Sequence, residues 1–169
     1  MRSILLALFL VLALATGHTF SKVNPSLEEL KVAFVYNFLK FVSWPSQGTT
    51  LRFCIVGETP LVDYLEVFSG KSVSNKVIMV TKTDPKDTKD CQAIFIGKLA
   101  PLQKEKLLKT LKGKAVLTIS DQKSFTKEGG IIELFLEGKK LRFKVNYTAA
   151  KEAGLKISSR LLRLAKEVI

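Results

Sequence analysis

Two short apolar runs, each closed by a glycine and followed by a segment of helical character, constrain the fold of this 169-residue chain more than any other feature. One occupies residues 51–56 and ends at Gly57, and the other occupies residues 91–96 and ends at Gly97. Runs rich in Val, Ile and Phe are typical of buried strands. Because strands that alternate with helices form parallel sheets, the pattern indicates an α/β domain.

The rest of the chain extends this pattern. Ser26 and Glu29 form a capping box, which predicts a helix that continues to about residue 43. Further strands are predicted at 76–82, 115–119, 131–136 and 141–145, and further helices at 60–68, 101–111, 148–153 and 160–168, with an extended segment at 155–157. We therefore predict a single α/β domain with a mixed parallel and antiparallel sheet of about six strands and helices on both faces.

Two patterns within these elements predict which side chains are buried. Glu133 and Glu137 alternate with apolar residues, which is typical of a half-exposed strand. Helix 101–111 is expected to bury one apolar face. That face consists of Leu102, Leu107, Leu108 and Leu111.

The first 17 residues have the order of a secretory signal peptide. A basic start at Arg2 precedes an apolar run over residues 4–15, and small residues follow up to Gly17. The run is too short for a hydrocarbon core about 30 Å thick. We predict that residues 1–17 are removed and that residues 18–169 form the exported domain, with a retained membrane anchor as the alternative.

Cys54 and Cys91 are the only two cysteines, and an even number in an exported chain favours one disulfide bond. Neighbouring parallel strands that carry them would bring the two sulfurs within bonding distance. Such a bond would stabilise the fold by about 3–4 kcal/mol in the chain-entropy description. Two buried free thiols are the alternative.

The formal net charge of +12 is a feature that nucleic-acid-binding proteins share. Export argues against nucleic acid as a partner, and the lysines are spread over several loops and one helix. A solvated cationic surface explains this distribution. An anionic membrane surface, an acidic polymer of the envelope or an acidic partner protein are the functional alternatives.

The scarcity of histidine excludes most catalytic sites. The only histidine is His18, at the predicted cleavage site, so serine triads, cysteine–histidine pairs and histidine zinc sites are excluded within the domain. The polar loop with Asp84, Asp87 and Asp90 also carries Lys86 and Lys89, whose charges oppose calcium binding. We predict no catalytic residue, no metal and no cofactor.

One candidate ligand site lies where the two glycine-closed strands end. In open α/β sheets, ligands bind at the carboxyl ends of the strands, where helix N-termini offer amides to anions. Gly57 and Gly97 are the predicted residues of this edge, although neither loop has the glycine spacing of a nucleotide-binding motif. Ordinary strand-to-helix turns are the alternative.

Six segments of the predicted domain carry a resemblance to a known family, and they are 31–45, 51–57 with Cys54, 90–97, 129–130, 141–146 and 153–165. Together these segments resemble the YfiR family of periplasmic proteins, and the resemblance covers almost all of the predicted domain. It implies an exported mixed α/β domain without catalytic residues. It also implies an inhibitor that binds the periplasmic portion of an inner-membrane diguanylate cyclase. In the family, an outer-membrane lipoprotein can sequester the inhibitor, and the activity of the inhibitor depends on its disulfide state.

Two departures from the family pattern bear on partner choice. Some members have a second cysteine pair in the later loop and hairpin, and this chain lacks it, so redox control would depend on Cys54 and Cys91. Lys144 stands where an acidic residue is expected. Because these departures concern the partner and not the fold, a sensor kinase is a further candidate partner, as is a second copy of the chain.

The predicted partner-binding residues are Trp44, Ile157, Arg160 and Arg163. The two arginines are three residues apart on a helix, so they share a face from which they could contact an acidic surface. Ile157 would supply an apolar anchor beside them. In the alternative, Ile157 seals the sheet together with Leu161 and Leu164 while the arginines face water. A periplasmic protein that binds a small molecule or cell-wall ligand at the Gly57 and Gly97 edge is the competing functional class.

Overall fold

The structure is a computed structural model that describes residues 24–46 and 48–169. The predicted signal peptide and His18 lie outside the described residues, so the predictions made for them stay predictions. The first element within these residues is helix α1, Leu27–Phe41. Ser26 Oγ accepts a hydrogen bond from the Glu29 amide while the Glu29 carboxylate accepts one from the Ser26 amide, which confirms the predicted capping box.

Within the described residues, fourteen further elements follow α1, and most lie within two residues of their predicted positions. In chain order they are β1 Val42–Ser43, β2 Thr50–Val56, α2 Val62–Glu66, β3 Ser72–Val73, β4 Lys76–Thr83, β5 Ala93–Ile96, α3 Pro101–Leu111, β6 Leu117–Ser120, β7 Ile132–Glu137, β8 Lys140–Val145, α4 Tyr147–Glu152, β9 Lys156–Ile157, α5 Ser159–Leu164 and β10 Glu167–Val168.

The strands form one eight-stranded sheet and one small ribbon. The order in the large sheet is β10-β8-β7-β6-β5-β2-β4-β3, and the ribbon pairs β1 with β9. Strands β4, β2, β5, β6 and β7 run parallel, whereas β7 and β8 form an antiparallel hairpin. The predicted mixed α/β class is confirmed, but the sheet has more strands than the six expected, because β3 and β10 are too short to produce a sequence pattern.

Helices cover both faces of the sheet, as predicted. Side chains alternate along β2, so that Phe53 and Ile55 point to one face while Cys54 and Val56 point to the other. We call the first the helix-rich face, because buried residues of α1, α2, α4 and α5 pack there. We call the second the disulfide face; α3 covers it together with Phe125 from the loop after β6.

The predicted helix 160–168 is wrong in its second half. Helix α5 ends at Leu164, and the chain then becomes the edge strand β10. The amide of Lys166 donates to the Phe143 carbonyl at 2.8 Å, and the amide of Ile169 donates to the Val145 carbonyl at 2.9 Å. These bonds to β8 replace the helical bonds that the apolar spacing alone suggested.

The prediction that Leu102 lies on the buried face of α3 is also wrong. Leu102 is 75% exposed, whereas Leu107, Leu108 and Leu111 are buried. Successive residues of a helix are rotated by about 100°, so Leu102 points roughly opposite to the centre of the face that the other three leucines share. Three leucines therefore suffice to attach α3 to the sheet.

Candidate partner-binding site

The predicted disulfide bond between Cys54 and Cys91 is present on the disulfide face. Cys54 lies on β2 and Cys91 lies just before β5, which is paired with β2, and the two Cα atoms are 5.9 Å apart. Both residues are almost fully buried among the side chains that α3 covers. The bond therefore joins two neighbouring interior strands of the sheet on the face that has the smaller apolar cover.

The Gly57 and Gly97 loops lie at the point of the sheet where a ligand is expected. Strand β2 has β4 on one side and β5 on the other, so the chain leaves β2 and β5 in opposite directions. In the structure, however, the two loops pair with each other. The Glu58 amide donates to the Lys98 carbonyl at 3.0 Å, and the Lys98 amide donates to the Glu58 carbonyl at 2.7 Å.

This pairing explains the two glycines without a ligand. A Cβ atom on Gly97 would lie 2.4 Å from the Glu58 carbonyl oxygen, and one on Gly57 would lie 2.7 Å from the Lys98 carbonyl oxygen. Both positions require glycine because two main chains approach closely. An open hollow of about 440 Å³ remains beside the loops. Ligand binding at this edge stays a prediction.

Trp44 is half-buried and fixed within the fold. Its indole N–H donates to the Gln92 carbonyl at 2.7 Å, and the Gln92 side chain accepts from the Arg52 amide at 2.6 Å. The ring also packs against the apolar core of the helix-rich face. Trp44 thus links the end of α1 to the start of β5, and only part of its ring is available to a partner.

Helix α5 presents the two predicted arginines to solvent but not the predicted apolar anchor. Ile157 is only 8% exposed and pairs with Val42 in the ribbon, which places it in the core. Leu164, in contrast, is 61% exposed, so it does not seal the sheet. Arg160 lies over the ring of Phe41, with its guanidinium carbon 5.5 Å from the ring centre.

The exposed residues of α5 share one face. Positions three and four apart are neighbours on a helix, so Arg160 adjoins both Arg163 and Leu164. We call Arg160, Arg163 and Leu164 the α5 surface. It combines two cations with an exposed apolar side chain, which is the combination expected for a site that contacts an acidic protein surface. The Phe41 ring restricts the motion of one of the two guanidinium groups.

The reversed charge at Lys144 has an intramolecular partner. Its ammonium lies 3.1 Å from the Glu167 carboxylate on the neighbouring strand β10, and 5.3 Å from the centre of the Phe135 ring. Because Glu167 is opposite Lys144 in the register, the cation contributes to holding the edge strand. The departure from the family pattern is therefore compensated within this chain.

A second ion cluster lies at the β7–β8 hairpin. The Glu137 carboxylate is 2.8 Å from the Lys166 ammonium and 3.5 Å from Nε of Arg142. The hydrogen bond from Lys166 holds the pKa of Glu137 below its ordinary value of 4.5. This cluster joins the hairpin to the segment between α5 and β10.

The prediction that Glu133 is half-exposed is wrong. Its side chain is 3% exposed, beneath the loop that follows β6. The carboxylate accepts hydrogen bonds from the amides of Ser124 and Thr126 and from the Thr126 hydroxyl. Strand alternation places Glu133 on the disulfide face, and the loop that covers it there could not be foreseen from the strand pattern. Glu133 fixes this loop.

The sequence contains two serines that precede a lysine by three positions, which is the spacing of some serine–lysine dyads, and sequence reasoning missed them. They are Ser120 with Lys123 and Ser124 with Lys127. Ser120 is fully buried, and its hydroxyl donates to the Ile96 carbonyl at 2.7 Å. Within residues 24–46 and 48–169 neither serine hydroxyl is hydrogen-bonded to a lysine side chain, so neither has an adjacent base in this arrangement.

The carboxylates of the acidic loop after β4 contact other groups of this chain. Oδ1 of Asp84 accepts from the Lys86 amide at 2.9 Å, and Asp90 lies 4.0 Å from Arg52. In the part of the chain that the structure describes, no group of three or more potential metal ligands is close enough to hold an ion. Within the same residues, no helix has the length and apolar character needed to cross a bilayer.

The fold is that of an α/β domain with a mixed sheet and one disulfide bond between neighbouring strands. The chain belongs to the YfiR/HmsC-like family, whose family model matches residues 28–166. The match confirms the resemblance inferred from the sequence.

Two solved structures share the fold. A conserved domain protein from Vibrio cholerae O1 biovar El Tor is 14% identical, with 86% of this chain and 61% of that chain covered at a TM-score of 0.58. The ABC domain from Streptococcus pneumoniae, solved in complex with L-Trp, is 9% identical, with 84% and 60% covered at a TM-score of 0.56. The chain thus spans about three fifths of each of these structures, and at such low identity the likeness concerns the fold alone.

Proposed function

We propose that the protein is a periplasmic regulator that restrains a membrane-bound signalling protein, a diguanylate cyclase or a sensor kinase, by binding its periplasmic portion. The observation that carries this proposal is the family match over residues 28–166. We further propose that residues 1–17 are a cleaved signal peptide, that the protein acts by binding and not by catalysis, and that an outer-membrane lipoprotein and a second copy of the chain are additional partners.

The α5 surface is the contact site that we propose for the membrane partner. Arg160 and Arg163 can form bidentate hydrogen bonds with carboxylates, and Leu164 supplies the apolar contact first assigned to Ile157. The net charge of +12 for the full chain becomes +11 once residues 1–17, which contain Arg2, are removed, and this charge accelerates encounter with an acidic surface. Trp44 contributes through the exposed part of its ring.

Ligand capture at the Gly57 and Gly97 edge has less support. The main-chain groups of Glu58 and Lys98 that would contact an anion are hydrogen-bonded to each other. A ligand would have to separate the two loops or bind in the shallow hollow beside them. Regulation through a protein partner requires no such rearrangement.

The proposal is tested by measuring cyclic di-GMP in cells that lack the gene. We expect deletion to raise the nucleotide concentration and the wild-type gene to restore it. The variant R160E/R163E should restore it poorly, because charge reversal at the centre of an interface weakens binding about tenfold or more. Photo-crosslinking from position 163 should then trap an inner-membrane protein with a cyclase or kinase domain.

The matched control is K106E/K112E, which makes the same change in net charge at the opposite face of the sheet, with Lys106 on α3 and Lys112 directly after it. Both lysines are exposed, and neither lies within 4.0 Å of a carboxylate among the residues that the structure describes. This variant should return the cyclic di-GMP concentration to the wild-type level. Equal function of the two variants would remove α5 from the interface, and a wild-type gene without effect on any membrane signalling output would refute the regulatory role.

A further inference from the structure

One edge of the large sheet is only half covered. The short strand β3 pairs with the beginning of β4, where Val73 is opposite Lys76 and Ser72 is opposite Val77. The Ile78 amide then donates to the Lys71 carbonyl at 2.8 Å, and the Gly70 amide donates to the Ile78 carbonyl at 2.9 Å. Beyond Ile78, no strand in the described part of the chain pairs with this side of β4.

The register shows which main-chain groups are left open. Successive residues of a strand direct their N–H and C=O groups to opposite sides. Ile78 directs its groups outward to the 70–71 segment, so Val80 and Lys82 also direct theirs outward. Val77 points inward, because its amide donates to the Thr49 carbonyl at 2.8 Å. In the part of the chain that the structure describes, the two amides and two carbonyls of Val80 and Lys82 therefore have no neighbouring strand to bond along this edge.

The side chains around this edge are apolar on one face and cationic on the other. On the disulfide face, Val77 and Met79 are 44% and 50% exposed. On the helix-rich face, Val80 is half-buried and Lys82 is exposed. Within residues 24–46 and 48–169, Lys82 has no carboxylate within 4.0 Å.

Two carboxylates of the loop that follows β4 contact other residues instead of Lys82. Asp84 accepts from the amide of Lys86, and Asp90 lies beside Arg52. The edge thus combines unpaired main-chain groups, exposed apolar side chains on one face and an unpaired cation on the other. An added strand with complementary side chains would satisfy all three.

We infer that the outer edge of β4, residues 79–83, binds an extended acidic segment of a partner protein as an additional strand. The segment directs apolar side chains towards Met79 and a carboxylate towards Lys82. The inference rests on the proposed function, because it assigns this segment to the periplasmic portion of the membrane partner. Strand addition gives affinity through the main chain, and the alternating side chains give specificity.

A second copy of the chain fits this edge less well. An antiparallel pair centred on Thr81 would place Val80 of one copy opposite Lys82 of the other, and the two Lys82 side chains would be diagonal neighbours on one face. Like charges at such positions oppose pairing. A lysine at an exposed edge also protects a sheet against self-association. The charge at this edge therefore favours an acidic partner.

The inference is tested with two synthetic peptides, capped at both ends, in which Val alternates with either Glu or Lys. Each is titrated into the ¹⁵N-labelled full-length exported protein while amide chemical shifts are recorded. We expect the Glu peptide to shift the amides of Val80 and Lys82 most and to bind at least about tenfold more tightly than the Lys peptide. The variant K82E should invert this preference, whereas K86E, in the adjacent loop, should not.

A backbone variant provides the second arm. In V80P the outward amide is absent, while the pairing of β4 with β2 keeps its inward bonds. We expect this variant to lose binding of the Glu peptide, and an unchanged thermal midpoint shows that it is folded. Equal affinity for the two peptides, the largest shifts outside residues 79–83, or concentration-dependent dimerisation through this edge would overturn the inference.

The cyclic di-GMP assay separates this inference from the proposed function. If wild type restrains the nucleotide and V80P and K82E do so equally well, the edge inference fails while the regulatory function stands. If wild type has no effect, the regulatory function fails, and the peptide titration still decides whether the edge binds acidic strands. Loss of restraint in V80P and K82E but not in K86E supports the inference.

Discussion

The two faces of the sheet differ in how they are stabilised. On the helix-rich face, four helices and many large side chains form a continuous core, with Phe38, Phe53 and Phe95 almost fully buried. On the disulfide face, one helix and a loop cover a much smaller core, and the bond between Cys54 and Cys91 crosses it. A covalent link therefore lies where hydrophobic burial is least able to hold the strands together.

The largest effect is expected from a truncation on the helix-rich face. Phe38 is 1% exposed, and its ring contacts those of Phe34 and Phe143. We expect Phe38→Ala to lower the free energy of unfolding by about 3–5 kcal/mol, because the packed surroundings cannot collapse into the cavity. Denaturant titration under oxidising and reducing conditions measures this loss, which should be the same in both. A loss that depends on the disulfide would show that the two faces are not independent.

Removal of the disulfide bond should destabilise the protein slightly less than Phe38→Ala does, and the loosened region should be the disulfide face. We expect C54S/C91S to lower the free energy of unfolding by about 3–4 kcal/mol, through the restored freedom of the unfolded chain. Hydrogen exchange should accelerate in α3 and in the loop around Phe125 before it does so in α1. Uniform acceleration over both faces would contradict the comparison. The cysteine-free variant also shows whether regulation requires the bond or only the fold.

The elements that could be predicted from the sequence differ from those that could not in how local their interactions are. The capping box at Ser26 and the apolar runs of β2 and β5 are local signals, so these elements and the pairing of Cys54 with Cys91 were predictable. The strand β10 and the burial of Glu133 depend on which distant main-chain groups are available, and no local pattern encodes them. Regular spacing misled the prediction of the last helix, because Lys166 bonds to Phe143 of a strand that lies far away in sequence.

The candidate site was predictable only in part. The positions of Arg160 and Arg163 on a helix followed from their spacing, since residues three apart share a face. Whether Ile157 or Leu164 is exposed depends on the ribbon that β9 forms with β1, a pairing of two residues in each strand. The open edge of β4 was not predictable either, because it arises from the short length of β3 and not from any feature of β4 itself.

The smallest effect concerns pH and compares ion pairs on different parts of the fold. The hydrogen bond from Lys166 lowers the pKa of Glu137, and that from Lys109 lowers the pKa of Glu105 on α3. A carboxylate whose pKa is lowered in the folded state stabilises the fold above its ordinary pKa of 4.5, and this contribution disappears as the pH falls through the folded value. We therefore expect Glu137→Gln to reduce the denaturant midpoint slightly at pH 7 and not at all in strongly acidic buffer.

Glu105→Gln is the matched control for that measurement, because Glu105 pairs with Lys109 within a single helix, whereas Glu137 joins the β7–β8 hairpin to Lys166 beside β10. The denaturant midpoints of the two variants should fall by similar amounts, since both ion pairs are exposed to solvent and screened by salt. Only Glu137→Gln should accelerate hydrogen exchange at the Lys166 and Ile169 amides, which bond to β8. Equal exchange at these amides in the two variants would mean that main-chain pairing alone holds the edge strand and that the ion cluster contributes nothing to it.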